Sequence, residues 1–268
     1  MIMKYDGEVA QNSDEVSFRA QFGTVPGKLL DAKGQLKLSV LIPARNEAST
    51  IGSIVYGIRS NFMGKTKFVD ELIVINDVSA DDTANIAKDN GADVIDLFAD
   101  RGTALGKGAA LREGIKAADG DLLLFLDADV TNFAGHFVTS MFAPLLLEKK
   151  FMLCKPKYQR LNAGSSFGGG RVTELVAKPA LELLLPELAA VEQPLAGETA
   201  IRRDLLEKIS VADNYQVEIA ILIDAYRLYG AEAIAQVDLG ERYHKSRSLA
   251  DLVPTAKDVL RAILERLA

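Results

Sequence analysis

The chain has 268 residues, 49% of them hydrophobic and 25% charged, a balance that belongs to a folded globular protein and excludes a disordered one. Its formal charge of -6 argues against a nucleic-acid partner, although a single anion can still be held locally. The only cysteine, Cys154, rules out an intrachain disulfide and multi-cysteine zinc sites, and its apolar neighbours in FMLC make it a buried strand residue. The polar start MIMKYDGEVAQNSDEVSF lacks an apolar signal stretch, and no apolar run nears the ~20 residues of a membrane span. These features predict a cytoplasmic setting.

In chain order, residues 1–34 carry little periodicity and read as an arm or covering segment. LKLSVLIPA, Leu36 to Ala44, reads as a strand and loop, and Thr50 to Arg59 as a short helix entered through ARNEAST. DELIVIND is a second strand, followed in SADDTANIAKDNG by a turn and a helix capped by Ser79 or Asp81. ADVIDLF gives a third strand, GKGAALREGIKAADG a loop and amphipathic helix, and DLLLFLDAD an apolar strand ending in carboxylates. Continuous apolar strands alternating with helices predict an α/β fold with a Rossmann-like, mostly parallel central sheet covered by helices.

The later half is less regular. FMLCKPKY reads as a strand, and GGGRVTELVAKPALELLLPEL as a glycine loop leading into a helix that Pro179 bends or divides. VEIAILIDAYRLYG is a helix ending at Gly230, AEAIAQVDLG a strand, and Leu249 to Leu267 a terminal helix. Residues 35–150 and 151–268 are expected to form two halves fused into one compact unit.

The sharpest chemical signal is Asp127-Ala128-Asp129 after LLLFL. Ligands of an open parallel sheet collect beyond the strand ends, where paired carboxylates need a cation or donors to compensate them. Mg²⁺ shared with diphosphate oxygens is a natural partner. Pro43, Ala44, Arg45 and Glu47 follow the first strand and Asp77 ends the second, offering groups suited to a base and ribose on the same rim; Glu47 reads equally as an exposed cap. Lys107 lies between two glycines and reads either as a phosphate-neutralising cation or as a solvated loop lysine.

GTALGKGAA lacks the Ser or Thr of a Walker loop, and no strand feeds GxGxxG, which weakens the NTPase and nicotinamide-dehydrogenase readings. A second anion site is expected at Gly168 to Thr173, where glycine amides, the Arg171 fork and the Thr173 hydroxyl meet at a helix start. Lys155, Lys157 and Arg160 add to this basic cluster. His244, in GERYHKSRS, reads either as a metal ligand beside Asp129 or as a surface histidine; His136 reads as structural or solvent-exposed. No catalytic triad is legible.

Together these motifs resemble the glucosyl-3-phosphoglycerate synthase family, retaining glycosyltransferases of the GT-A type related to mannosyl-3-phosphoglycerate synthases. The resemblance spans about Leu36 to Leu249 and is carried most specifically by GGGRVTELVAKP, QPLAGETA, YQVEIAILID and AIAQVDLGERYHKSRSL. It implies a GT-A fold with an acceptor-binding C-terminal half, and a homodimer. It also implies transfer of glucose from UDP-glucose to 3-phosphoglycerate with retention of configuration, using Mg²⁺ or Mn²⁺. In this likeness Pro43, Ala44, Arg45, Glu47, Asp77, Asp127 and Ala128 hold the nucleotide sugar, with Lys107 close by. Asp129 and His244 match the metal ligands, Gly170, Arg171 and Thr173 the acceptor-phosphate site, and Leu195 and Glu218 positions beside the transferred sugar.

Two departures stand out: Ala128 replaces a frequent serine, and Ser246 occupies an acceptor-proximal position where many relatives carry asparagine. Competing readings are a mannosyl-3-phosphoglycerate synthase using GDP-mannose, a nucleotidyltransferase, and a non-enzymatic nucleotide-sugar sensor.

Overall fold

A computed structural model describes residues 3–4, 25–97, 104–162, 170–244 and 248–267. Its strands are β1 (Met3–Lys4), β2 (Leu38–Ala44), β3 (Glu71–Asp77), β4 (Asp93–Leu97), β5 (Leu122–Phe125), β6 (Leu153–Asn162), β7 (Thr199–Arg202) and β8 (Ile234–His244). They form one eight-stranded sheet in the order β1-β8-β6-β7-β5-β2-β3-β4. β7 runs antiparallel to β5 and β6, and the other neighbours are parallel. The mostly parallel α/β sheet expected from the sequence is present. β7 is the strand its pattern concealed: TAIR offers four residues with a charge at one end.

The helices are α1 (Gly27–Lys33), α2 (Ile51–Ile58), α3 (Thr83–Asp89), α4 (Lys107–Ala117), α5 (His136–Leu147), α6 (Lys178–Leu184), α7 (Arg203–Leu206), α8 (Val217–Tyr229) and α9 (Leu249–Leu267). They cover both faces of the sheet, which explains why its central strands are mostly apolar, with polar residues at Ser39, Glu71, Asn76 and Asp77. Val40, Ile42, Leu72, Val74, Leu122 and Leu124 pack into one core with α1, α2 and α5. The intervening residues Leu41, Ile73, Ile75, Leu123 and Phe125 pack into the other with α4, α8 and α9. The period of two along each strand sorts neighbouring residues between the two cores.

Three local details refine the sequence pattern. The segment before residue 34 contains α1, whose Leu29 is fully buried in the first core. Asp81, not Ser79, accepts the Thr83 N–H at the start of α3 (3.1 Å), while the Ser79 hydroxyl accepts from Asn46 N (3.0 Å). A π turn, Thr173–Ala177, precedes α6 and leaves Pro179 at the second position of the new helix. In an uninterrupted α-helix that ring would press on the Leu175 carbonyl, and the wider turn relieves the clash. His136 begins α5, with Nε2 3.2 Å from the Leu239 carbonyl, the structural one of its two readings. Among the described residues no helix is long and apolar enough to cross a membrane.

Phe142 on α5 is fully buried and meets Phe68 edge-on at 6.1 Å. Phe142→Ala should lower the unfolding free energy by about 3–5 kcal/mol in denaturant titrations; a loss under about 1 kcal/mol would contradict this packing.

Candidate active site

β2 pairs with β3 on one side and β5 on the other, so the connections leaving their C-terminal ends part there and open a crevice. A cleft of ≈ 550 Å³ occupies that position. Pro43, Ala44, Arg45 and Glu47 reach it from the end of β2, Asp77 from β3, and Asp127, Ala128 and Asp129 from the end of β5. Lys107 enters at the start of α4. The later half of the chain adds Gly170, Arg171, Thr173, Leu195 and Glu218 to the same cavity. Residues expected at two anion sites thus share one space.

The charges there are ordered. The Lys107 ammonium lies 2.6 Å from Asp127 Oδ1 and 2.6 Å from Glu218 Oε1. Burial alone would depress its pKa, but the two carboxylates outweigh that effect and hold it above the ordinary lysine range. On the other side of Asp127, Arg242 Nη2 contacts Oδ2 at 2.7 Å and reaches Asp129 Oδ1 at 3.2 Å. Its Nε faces Glu198 Oε1 at 2.8 Å. Burial opposes the guanidinium charge, and Glu198, Tyr158, Asp127 and Asp129 reverse it, so its pKa is raised. Asp127 is therefore compensated by protein cations, whereas Asp129 is more exposed toward the cleft and has the longer Arg242 contact.

Backbone positions support this arrangement. The Thr50 hydroxyl donates to the Ala128 carbonyl at 2.7 Å, pinning the loop between the carboxylates. Asp77 accepts from Leu105 N at 2.7 Å and Gly106 N at 2.9 Å, so this predicted nucleotide-side residue also shapes the turn that delivers Lys107. Immediately after it, Val78 adopts φ 54°, a strained conformation for a β-branched residue of the kind that collects at functional sites. Gly197 sits against Asp127, and a Cβ there would collide with the carboxylate.

The end of β8 is tied to the loop that follows Asp129. Asn132 Nδ2 donates to the Glu241 carbonyl at 2.7 Å, and Tyr243 N donates to Asn132 Oδ1 at 3.1 Å. The main chain of His244 follows directly, but its side chain and all of Ser246, Gly168 and Gly169 lie outside the described residues. Among the described residues no cluster of three or more His, Cys, Asp or Glu side chains is poised to hold a metal. Asp129 supplies a hard oxygen on the cleft, which suits an ion that completes its shell with substrate oxygens and water.

The basic cluster expected around the glycine turn needs correction. Lys155 is fully buried and donates to Ala196 O at 2.6 Å and to the Thr199 hydroxyl at 2.9 Å. Lys157 pairs with Asp238 at 3.3 Å. The Arg160 side chain lies outside the described residues. Of the site residues not singled out from sequence, Arg242 and Glu198 matter most. No local spacing signals either, because their partners come from distant strands. Cys154 is fully buried as expected, and burial pushes its thiol pKa up.

Residues 39–162 match the family model described as Glycosyl transferase family 2. A glucosyl-3-phosphoglycerate synthase of Petrotoga mobilis is 40% identical over 245 residues, covering 89% of this chain and 75% of the relative. That of Mycobacterium tuberculosis is 41% identical over 258 residues, covering 91% and 78%. The crystal structure of the M. tuberculosis enzyme with Mn²⁺, UDP-glucose and phosphoglyceric acid superposes with a TM-score of 0.82 at 40% identity, covering 92% of this chain and 85% of that one. Its complex with Mg²⁺ and UDP gives the same TM-score, 0.82, at 40% identity, again covering 92% and 85%.

The buried ammonium of Lys155 has a thermodynamic signature. Burial depresses its pKa to about 8, a shift only partly offset by Glu218 and Glu198. The unfolded chain then binds more protons than the native one between about 8 and the ordinary value of 10.5, so this group makes stability rise with pH across that window. In denaturant melts from about pH 7 to about pH 10.5, wild type should gain progressively on Lys155→Met; a pH-independent difference would refute the depressed pKa.

Proposed function

Because the chain belongs to the glucosyl-3-phosphoglycerate synthase family of glycosyltransferases, we propose that it transfers glucose from UDP-glucose to the hydroxyl of 3-phosphoglycerate, releasing UDP. The observation that carries this reading is the single ≈ 550 Å³ cleft that joins the Asp127–Asp129 strand end to the Gly170–Thr173 segment. A transferase needs both substrates in one cavity, with the donor diphosphate and acceptor phosphate held apart.

On the donor side, Pro43, Ala44, Arg45, Glu47 and Asp77 border the space assigned to the nucleotide. Asp129, with His244 from the β8 terminus, is the ligand set we assign to a divalent ion; the bound Mg²⁺ or Mn²⁺ neutralises charge growing on the departing diphosphate. Lys107, already paired to Asp127 and Glu218, contributes positive charge beside that group. On the acceptor side, Arg171, Thr173 and the Gly170 backbone grip the phosphate, and Ser246 adjoins it in the sequence likeness. Binding energy at that remote anion is converted into orientation of the attacking hydroxyl.

We favour front-face displacement, which retains the anomeric configuration. Leu195 lines the cleft, where we assign it to the transferred sugar, and Glu218 is engaged by Lys107, a contact that opposes its use as a covalent nucleophile. We also propose a homodimer. Leu249, Val253, Leu260 and Leu264 form one exposed stripe of α9, and Leu183 and Leu184 expose further apolar surface on α6.

Incubation with UDP-glucose, 3-phosphoglycerate and Mg²⁺ or Mn²⁺ should release UDP and form a phosphorylated glucoside. Pyrophosphate release from a sugar phosphate and an NTP would point to a nucleotidyltransferase instead, and preference for GDP-mannose to the mannosyl enzyme. Asp129→Ala should cut metal-dependent turnover by about 100-fold or more, and unchanged metal dependence in a folded variant would remove the ligand assignment. Arg171→Ala should raise the KM for 3-phosphoglycerate roughly 10- to 100-fold while leaving UDP-glucose dependence nearly intact. An unchanged acceptor KM would displace Arg171 from that role.

A further inference from the structure

Beneath the cleft lies a cation that no step above uses. Lys155 is fully buried on β6, and its two hydrogen-bond acceptors, the Ala196 carbonyl and the Thr199 hydroxyl, are neutral. Burying an ammonium on neutral oxygens is expensive compared with an apolar side chain of similar length. The contacts show what the lysine secures.

Ala196 and Thr199 flank a tight connection. Ala196 N donates to Gln193 O at 3.1 Å, and Gln193 Nε2 reaches Tyr158 O at 3.4 Å. Within the same turn, the fully buried Glu198 faces Arg242 and accepts from the Tyr158 hydroxyl at 3.3 Å. Leu195 lines the cleft just before Ala196, and Gly197 packs on the Asp127 carboxylate just after it. Thr199 opens β7, where it pairs with Phe125, two residues before Asp127. One ammonium therefore clamps the turn bearing Leu195 to the strand registered against the end of β5.

We infer that Lys155 is a positioning residue for sugar transfer, holding the Leu195–Glu198 turn in register with Asp127 and Lys107 so that the donor sugar meets the acceptor at a fixed place. This inference rests on the transferase reading given above. Lys155 touches neither substrate in that reading and acts through the turn.

The test compares wild type, Lys155→Met, Thr199→Val and Thr199→Ser in steady-state transfer, with UDP affinity and thermal melting measured alongside. For Lys155→Met, kcat should fall at least about tenfold while both KM values and UDP affinity stay within about threefold, the pattern of a misplaced reacting centre. Thr199→Val, which removes one of the two acceptors, should lower kcat in the same way, and Thr199→Ser should restore it. A lower melting temperature with unchanged kcat per folded molecule would overturn the proposal, as would loss of UDP affinity in step with kcat. If Lys155→Met does not fold, the Thr199 pair decides, and equal kcat in Val, Ser and wild type would be fatal. Absence of transfer by wild type itself would instead sink the functional reading.

Discussion

Asp127 sits at the end of a buried strand, where two cations reach it from different parts of the chain. Lys107 comes from 20 residues upstream and Arg242 from 115 residues downstream. Each would be costly to bury alone, and removing either would leave an uncompensated charge beside the core. Much of the surrounding architecture serves this meeting: the turn held by Asp77 delivers Lys107, β8 delivers Arg242, and Gly197 leaves room for the carboxylate. With Asp127 satisfied internally, Asp129 presents its charge to the cleft. The two acids of one short motif thus differ in setting, one paired with two protein cations and the other more exposed to the cleft.

On the proposed reading, one cavity holds two anionic substrates. Its proposed donor side is built from strand ends and the first turn of α4, elements anchored in both cores. Its proposed acceptor side comes from the Gly170–Thr173 segment and the π turn that follows it. On that reading, holding the two anions at different ends of the cleft reduces their mutual repulsion.

Features written in consecutive residues were legible. LLLFLDAD announced a buried strand ending in acids, and the terminal helix shows its period of 3.6 from Leu249 to Leu267. The glycine-arginine segment at residues 170–173 was legible for the same reason. Long-range pairing was not. TAIR is too short to display alternation, yet β7 joins the two parts of the sheet. Lys155 and Lys157 looked like one basic patch, but one is sealed in the interior and the other is paired with Asp238. Arg242 stood in a charged string near His244, and nothing in that string identified its acidic partners. A local pattern records which face a residue prefers, while charge compensation depends on which distant strand lies opposite.

β7 has a consequence for how this chain can be made. Because it lies between β5 and β6, the sheet begun by β2 to β5 gains its next strand only after residue 199 has been synthesised. Until then β5, with the apolar run Leu122–Phe125, presents an unpaired edge that a second nascent chain can cap. Its closure also brings together segments more than 70 residues apart, a slow step compared with forming the local helices. The strand that joins the two parts of the sheet is thus also the one that covers the β5 edge during synthesis.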